Sequence, residues 1–186
     1  MLDPATNTVK KYHLGVSQFE PFFALAEKLE VPILIHPSGD VNGRADYPSS
    51  FDVVMLGFLN DERVILYNLL RTGLLERHPN LKIIVTHLGG GLLFNIARFG
   101  IPLPLPHPIE YYMKKVYYDI ASSTVDDIVA AEKIVGADHL LVGTDFPWGN
   151  TNSFRPLLKA LPFSEDKIKA IAYDNASKLF RIQVEK

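Results

Sequence analysis

The sequence predicts an α/β fold in which four parallel strands form one sheet and helices cross over between them. Two observations predict it. Short apolar runs of strand length alternate with longer segments of helical periodicity. Three of the four runs also end in a residue able to bind a metal, and parallel α/β folds carry their active sites at that end of the strands.

Residues 17–30 place Phe19, Phe22, Phe23, Leu25, Ala26 and Leu29 at helical spacing, and Ser17 with Glu20 three positions later reads as a capping box. Val31 to Ile35 is apolar and too short for a helix, which suits a buried parallel strand; it ends at His36-Pro37. Residues 38–48 are polar, contain Gly39, Gly43 and Pro48, and form a loop. Residues 49–72 return to helical spacing and predict two helices broken near Asn60-Asp61. His78-Pro79-Asn80 turns the chain into a second strand over 81–86, which ends at His87. Gly89, Gly90 and Gly91 then lead into a helical stretch to Phe99, and the proline-rich segment 101–109 is a loop. A third strand spans 116–120 and a helix 124–136. The fourth strand lies near 139–144 and ends at Asp145, and helices over 153–161 and 164–180 follow. Two architectures satisfy this order: an open doubly wound sheet, or part of a (β/α)8 barrel. No Gly-x-Gly-x-x-Gly follows a strand and no phosphate loop is present, so nucleotide binding has no support.

Composition narrows the function classes. Hydrophobic residues make up 47% of the 186 and charged residues 22%, as in an ordinary globular domain, so one domain over 1–186 is expected. The net charge of -2, with no long run of one sign, gives no footprint for nucleic acid or for an anionic membrane surface. No apolar stretch approaches the ~20 residues that span a bilayer, and the first residues lack a signal-peptide pattern. The absence of cysteine excludes disulfides and thiolate metal sites and fits a cytoplasmic location.

The candidate chemistry lies at His36, His87 and Asp145. Imidazole nitrogen and carboxylate oxygen suit a divalent ion such as zinc, which polarises a carbonyl or carboxylate oxygen or lowers the pKa of bound water to about 7. Each residue alone has an ordinary explanation. A single histidine at a strand end is usually a hydrogen-bonded structural residue, and an aspartate before a proline-containing loop is a common turn. Turn chemistry does not explain all three standing at equivalent strand ends.

Val31-Pro32-Ile33-Leu34-Ile35-His36-Pro37, Thr86-His87-Leu88-Gly89-Gly90-Gly91 through Arg98, and Gly143-Thr144-Asp145-Phe146-Pro147 resemble the signatures of strands five, six and eight in amidohydrolase-related proteins. The similar branch contains aminocarboxymuconate-semialdehyde decarboxylase and the resorcylate-type decarboxylases. Glu76 to Lys82 resembles that family's lead-in to strand six, Tyr117-Tyr118-Asp119 its strand seven, and Asn175-Ala176 its closing helix. The resemblance runs from about residue 14 to 181. It implies the C-terminal half of a TIM (β/α)8 barrel. It implies that His36 and Asp145 are metal ligands, that Asp145 also takes a proton from metal-bound water, and that His87 stands beside the metal as a general acid or a water-orienting group. Arg98 would anchor a substrate carboxylate, although a solvated charge at a helix end is an equal reading; Trp148 and Phe146 would line the pocket, although core packing is the default reading of both. The implied substrate is a small unsaturated or aromatic carboxylic acid. The implied reaction is nonoxidative decarboxylation, with hydrolysis the alternative. His78 and His139 precede strands and read as structural, while His13 and His107 have no counterpart in the family pattern.

One departure matters. The family takes two further ligands from a His-x-His on strand one, and this sequence contains no His-x-His. The match begins just before strand five, and four strands cannot close a barrel. Two strand edges and one apolar face are therefore expected to be open. Association with a second copy or with a complementary half-barrel would cover them. A non-catalytic half-barrel subunit, or a remnant that binds small acids, is the alternative to an enzyme.

Overall fold

The computed structural model describes residues 17–37, 46–99 and 105–182. Of the loops expected over 38–48 and 101–109, residues 38–45 and 101–104 lie outside the described residues, as does His13.

Four short strands form one sheet: β1 (Ile33–Ile35), β2 (Ile83–Val85), β3 (Tyr117–Asp119) and β4 (Leu140–Leu141). Each pairs in parallel with its neighbour in sequence, in the order β1-β2-β3-β4. That order decides between the two architectures. A doubly wound sheet reverses its winding at a switch point, whereas this one steps the same way three times, as one arc of a barrel does. The chain is the C-terminal half of a TIM barrel.

The pleat sorts the side chains onto two faces. On the helix-covered face Ile35, Ile83, Val85, Tyr118 and Leu140 join the main core with Phe23, Leu66, Leu69, Leu74, Met113 and Ile128. On the other face Ile84 and Leu141 meet only Leu179, with Tyr117 and Ala176 beside them. Leu34 on this face is 58% exposed. The expected burial of the first strand is thus half right: its inner face has no cover among the described residues.

The helices depart from expectation in instructive places. The first helix, α1, spans Glu20–Leu29 behind a 3-10 turn, Ser17–Phe19. Its predicted capping box does not form. Phe19 occupies the cap without a side-chain bond, and Glu20 turns instead to Arg77 and His78. Phe23 and Ala26 are buried, while Phe22, Leu25 and Leu29 stay half-exposed. The break predicted at Asn60-Asp61 is absent. A short α2 (Ser50–Asp52) runs through a π-helical turn, Val53–Gly57, into α3 (Phe58–Arg71). Asn60 and Asp61 instead lie within the continuous helix. Next come α4 (Leu74–Arg77), a 3-10 segment Leu92–Phe99 in place of the expected helix, and α5 (Ile109–Met113). The helix expected over 124–136 is α6 (Val125–Val135), with Thr124 and Asp127 forming a capping box. It is followed by α7 (Phe154–Ala160).

The helix predicted over 164–180 is interrupted: α8 (Glu165–Lys169), a π-helical turn Ala170–Asp174, then α9 (Asn175–Phe180). The π turn has a consequence for the sheet. Ile171 O accepts from Val142 N at 3.2 Å, and Asn175 Nδ2 donates to Leu140 O at 2.9 Å and to Ala137 O at 2.8 Å. Residues 140 and 142 face the same side of an extended chain, whereas Leu141 O turns to β3 and accepts from Ile120 N. The outer edge of β4 is therefore occupied by the chain's own C-terminal segment, and the strand stops at Leu141, short of the expected 144.

His78 ties α1 to the approach to β2. Its Nε2 lies 2.7 Å from Glu20 Oε2 and its Nδ1 3.0 Å from Glu27 Oε2. Burial disfavours the imidazolium, but the two carboxylates outweigh it, and the His78 pKa is raised. The hydrogen bond from Arg77, with that from His78, outweighs burial and holds Glu20 below the usual carboxylate range. His139 likewise serves the frame, its Nδ1 3.1 Å from Val116 O and its ring against Tyr117. A group whose pKa rises on folding stabilises most below its unfolded value, ~6.5 for histidine, and loses that contribution as pH rises through the folded value. His78→Ala is expected to cost roughly 2 kcal/mol at pH 6, and distinctly less at pH 9. Urea unfolding of wild type and variant at the two pH values checks both the size and the sign.

Candidate metal centre

In-register parallel pairing brings the strand ends to one rim. Ile35 is opposite Val85, so His36 and Thr86-His87 leave the sheet side by side, and Asp145 arrives from beyond β4. His36 Nε2 is 3.4 Å from Asp145 Oδ1, and His87 Nε2 is 3.7 Å from Asp145 Oδ2. One donor atom from each of the three residues lies within 4.8 Å of the others. Two donors each ~2.1 Å from a tetrahedral ion stand about 3.4 Å apart, which is the His36–Asp145 spacing; His87 stands slightly wider. His36 Nδ1 is 2.7 Å from Pro37 O. A proton on Nδ1, donated to that carbonyl, leaves Nε2 with the lone pair that a metal requires.

The chain reaches this arrangement through an uncommon backbone. His87, Leu88, Gly89, Gly90 and Gly91 all have positive φ, between 51° and 79°. They form a left-handed turn. Such a conformation costs about 1–2 kcal/mol for each residue that has a Cβ, and glycine carries no such penalty. Close packing also demands glycine at two of these positions. A Cβ on Gly90 would lie 2.1 Å from Leu59 O of α3, and one on Gly89 2.7 Å from the Leu66 side chain. Arg63, the residue after Glu62 on α3, fastens the turn by donating Nε and Nη2 to Gly90 O at 3.1 and 2.7 Å. Asp145 also has a positive φ, 54°. Strained non-glycine residues thus coincide with the donor atoms, as they do at functional sites.

Two carboxylates support His87 from behind. Asp119, at the end of β3, accepts from His87 N at 2.8 Å and from Ala121 N at 3.1 Å. Gly143 makes room for it, since a Cβ there would stand 2.6 Å from Asp119 Oδ2. Glu62 of α3 is fully buried. Its Oε1 accepts from Thr86 Oγ1 and, at 2.8 Å, from His87 Nδ1. Its Oε2 has no hydrogen-bond partner among the described residues, an omission worth about 1–3 kcal/mol. Burial raises the pKa of Glu62 and of Asp119. Burial alone would lower that of His87, but the hydrogen bond and charge of Glu62, with Asp119 and Asp145, lift it to about 9. Without a cation His87 is an imidazolium at neutral pH and holds a proton to give. A bound divalent ion would oppose that charge.

Sequence reasoning placed Asp119 only in a strand and missed Glu62 altogether. Asp119 was within reach, because it ends its strand as His36 and His87 end theirs. Glu62 was legible too, since helical spacing puts it on one face with Leu66, Leu69 and Leu70. The remaining candidates are exposed. Arg98 is exposed at the end of its 3-10 segment, and Trp148 and Phe146 are 88% and 73% exposed on the segment after Asp145. His107 stacks on Tyr111, with ring centroids 4.1 Å apart.

This geometry has relatives. Gamma-resorcylate decarboxylase of Rhizobium radiobacter is 27% identical over 191 residues, covering 91% of this chain and 56% of that protein. The crystal structure of 2,6-dihydroxybenzoate decarboxylase from Rhizobium superposes with a TM-score of 0.82 at 24% identity, covering 91% of this chain and 57% of that one. A dihydroxybenzoic acid decarboxylase from Polaromonas, solved with bound manganese and the inhibitor 2-nitroresorcinol, gives a TM-score of 0.78 at 24% identity, covering 93% and 56%. The chain spans about half the length of the curated relatives it matches. No helix among the described residues is long and apolar enough to cross a membrane. The Amidohydrolase family model matches residues 5–182, nearly the whole chain, and the chain belongs to that family.

Proposed function

We propose that this chain is the site-bearing half of a metal-dependent decarboxylase acting on a small aromatic carboxylic acid. The convergence of His36, His87 and Asp145 on one rim of the half-barrel carries the reading. A divalent ion would be held by His36 Nε2 and the Asp145 carboxylate, and it would supply an electrophile for substrate oxygens. The donor chemistry suits zinc, while the dihydroxybenzoic acid decarboxylase from Polaromonas holds manganese, so both ions are to be tested.

Nonoxidative decarboxylation replaces the departing carboxyl carbon with a proton, so the site must deliver one to the ring. His87 is built for this: its Nδ1 is engaged by Glu62, and its Nε2 faces Asp145 across 3.7 Å. In this reading Asp145 shares the proton traffic, Arg98 anchors a carboxylate and Trp148 covers the substrate. Hydrolysis of a related small acid is the runner-up, because the same donor set supports it. A cytoplasmic location fits the cysteine-free chain. Association with a second copy or a complementary half-barrel fits the open inner face at Leu34 and the apolar stripe of Phe22, Leu25 and Leu29.

The deciding experiment starts from the DNA immediately upstream of the Met1 codon. A reading frame encoding His-x-His would be expressed together with this chain and supplied with manganese or zinc. Carbon dioxide release from 2,6-dihydroxybenzoate is expected, and His87→Asn should lower it by ~100- to 10,000-fold while metal stays bound. No such reading frame, together with no carbon dioxide from any acid tried, would leave a non-catalytic half-barrel as the better account. Light scattering on the chain alone should show a dimer at micromolar concentration; a stable monomer would contradict the association.

A further inference from the structure

Glu62 lies outside the metal cluster, yet it is the one fully buried carboxylate among the described residues. Its two oxygens are used unequally. Oε1 takes both Thr86 Oγ1 and His87 Nδ1, and Oε2 takes nothing among the described residues. A side chain selected only to pack the interface between α3 and β2 would do better as leucine or methionine. Its placement is nevertheless over-determined. One residue on, Arg63 clips Gly90 O, and Gly90 lets the turn approach Leu59 O more closely than any Cβ would allow. Helix α3 and the turn from His87 to Gly91 are thereby locked together, with the Glu62 carboxylate aimed at the imidazole.

We infer that Glu62 is a positioning residue: it holds the His87 Nδ1 proton and so fixes the ring with Nε2 turned toward the site. This rests on the decarboxylase reading for its purpose, but not for its test. The Glu62–His87 hydrogen bond is anchored at both ends. Thr86 Oγ1 fixes where Oε1 sits, and Asp119, accepting from the His87 backbone N, fixes the start of the side chain. The imidazole is held at its backbone and at Nδ1, which leaves Nε2 alone free to exchange a proton with a bound acid. Nothing in this requires Glu62 to touch substrate.

The test is nuclear magnetic resonance on the full chain, with the six histidines sorted by a His87→Asn sample. Wild type should show a downfield, slowly exchanging Hδ1 proton from His87. Glu62→Gln keeps an acceptor but loses its charge, so the resonance should persist and move upfield. Glu62→Met removes the acceptor, and the resonance should vanish while the other histidines are unmoved. A merely structural role would lower the melting temperature of both variants without moving this proton. Absence of the resonance in wild type would overturn the assignment, as would an unshifted resonance in either variant. If Glu62→Met does not fold, the shift in Glu62→Gln decides. Manganese titration of the same wild-type sample separates the two ideas: failure to bind metal defeats the metal reading and leaves the Hδ1 result standing.

Discussion

The approach of α3 to the turn after β2 is the contact on which the site depends. Leu59 O comes so near Gly90 that any side chain there would overlap it, and Arg63 bonds the same glycine's carbonyl. That approach requires five successive residues in a left-handed conformation, two of which, His87 and Leu88, carry side chains. The local cost, about 1–2 kcal/mol for each, is offset by burial of Leu88, Leu92 and Leu93 into the main core. The same turn projects the His87 imidazole over the sheet rim, where β1 and β4 deliver His36 and Asp145. Strain in the backbone and precision at the donor atoms have one cause.

The half-barrel is asymmetric at its two ends. At β4 the π turn and Asn175 occupy the backbone groups that a further strand would use. At β1 the alternate edge and the inward-facing Leu34 have no such cover among the described residues. A partner supplying more strands would therefore meet a ready edge at β1, and to close a barrel it would have to displace the C-terminal segment at β4. Edge strands left open in this way can recruit other chains, which would give the proposed association a direction.

Much of the fold was legible in the sequence because strand length and helix periodicity are local signals. The runs containing Ile33, Ile83, Tyr117 and Leu140 were found within a few residues. The strand-end histidines and Asp145 were legible for the same reason, since alternation fixes which end of each strand faces the chemistry. What escaped depended on distant partners. Glu20 reads as a cap until Arg77 and His78, nearly sixty residues away, claim it. The last helix reads as continuous until Val142 draws Ile171 O out of the ladder. Glu62 shares a helix face with Leu66, Leu69 and Leu70, but its partners appear only when α3 is laid against β2. Arg98 and Trp148 came from the family pattern, and both side chains are exposed.

The central claim is that two strand ends of this half-barrel hold a divalent ion. Crystals grown or soaked with manganese, measured at the manganese absorption edge, locate the ion without reference to activity. The account predicts one strong anomalous peak within about 2.0–2.3 Å of His36 Nε2 and an Asp145 carboxylate oxygen, and its loss in His36→Ala. A saturating soak with no peak between these two side chains, or a peak that survives His36→Ala unchanged, would contradict it.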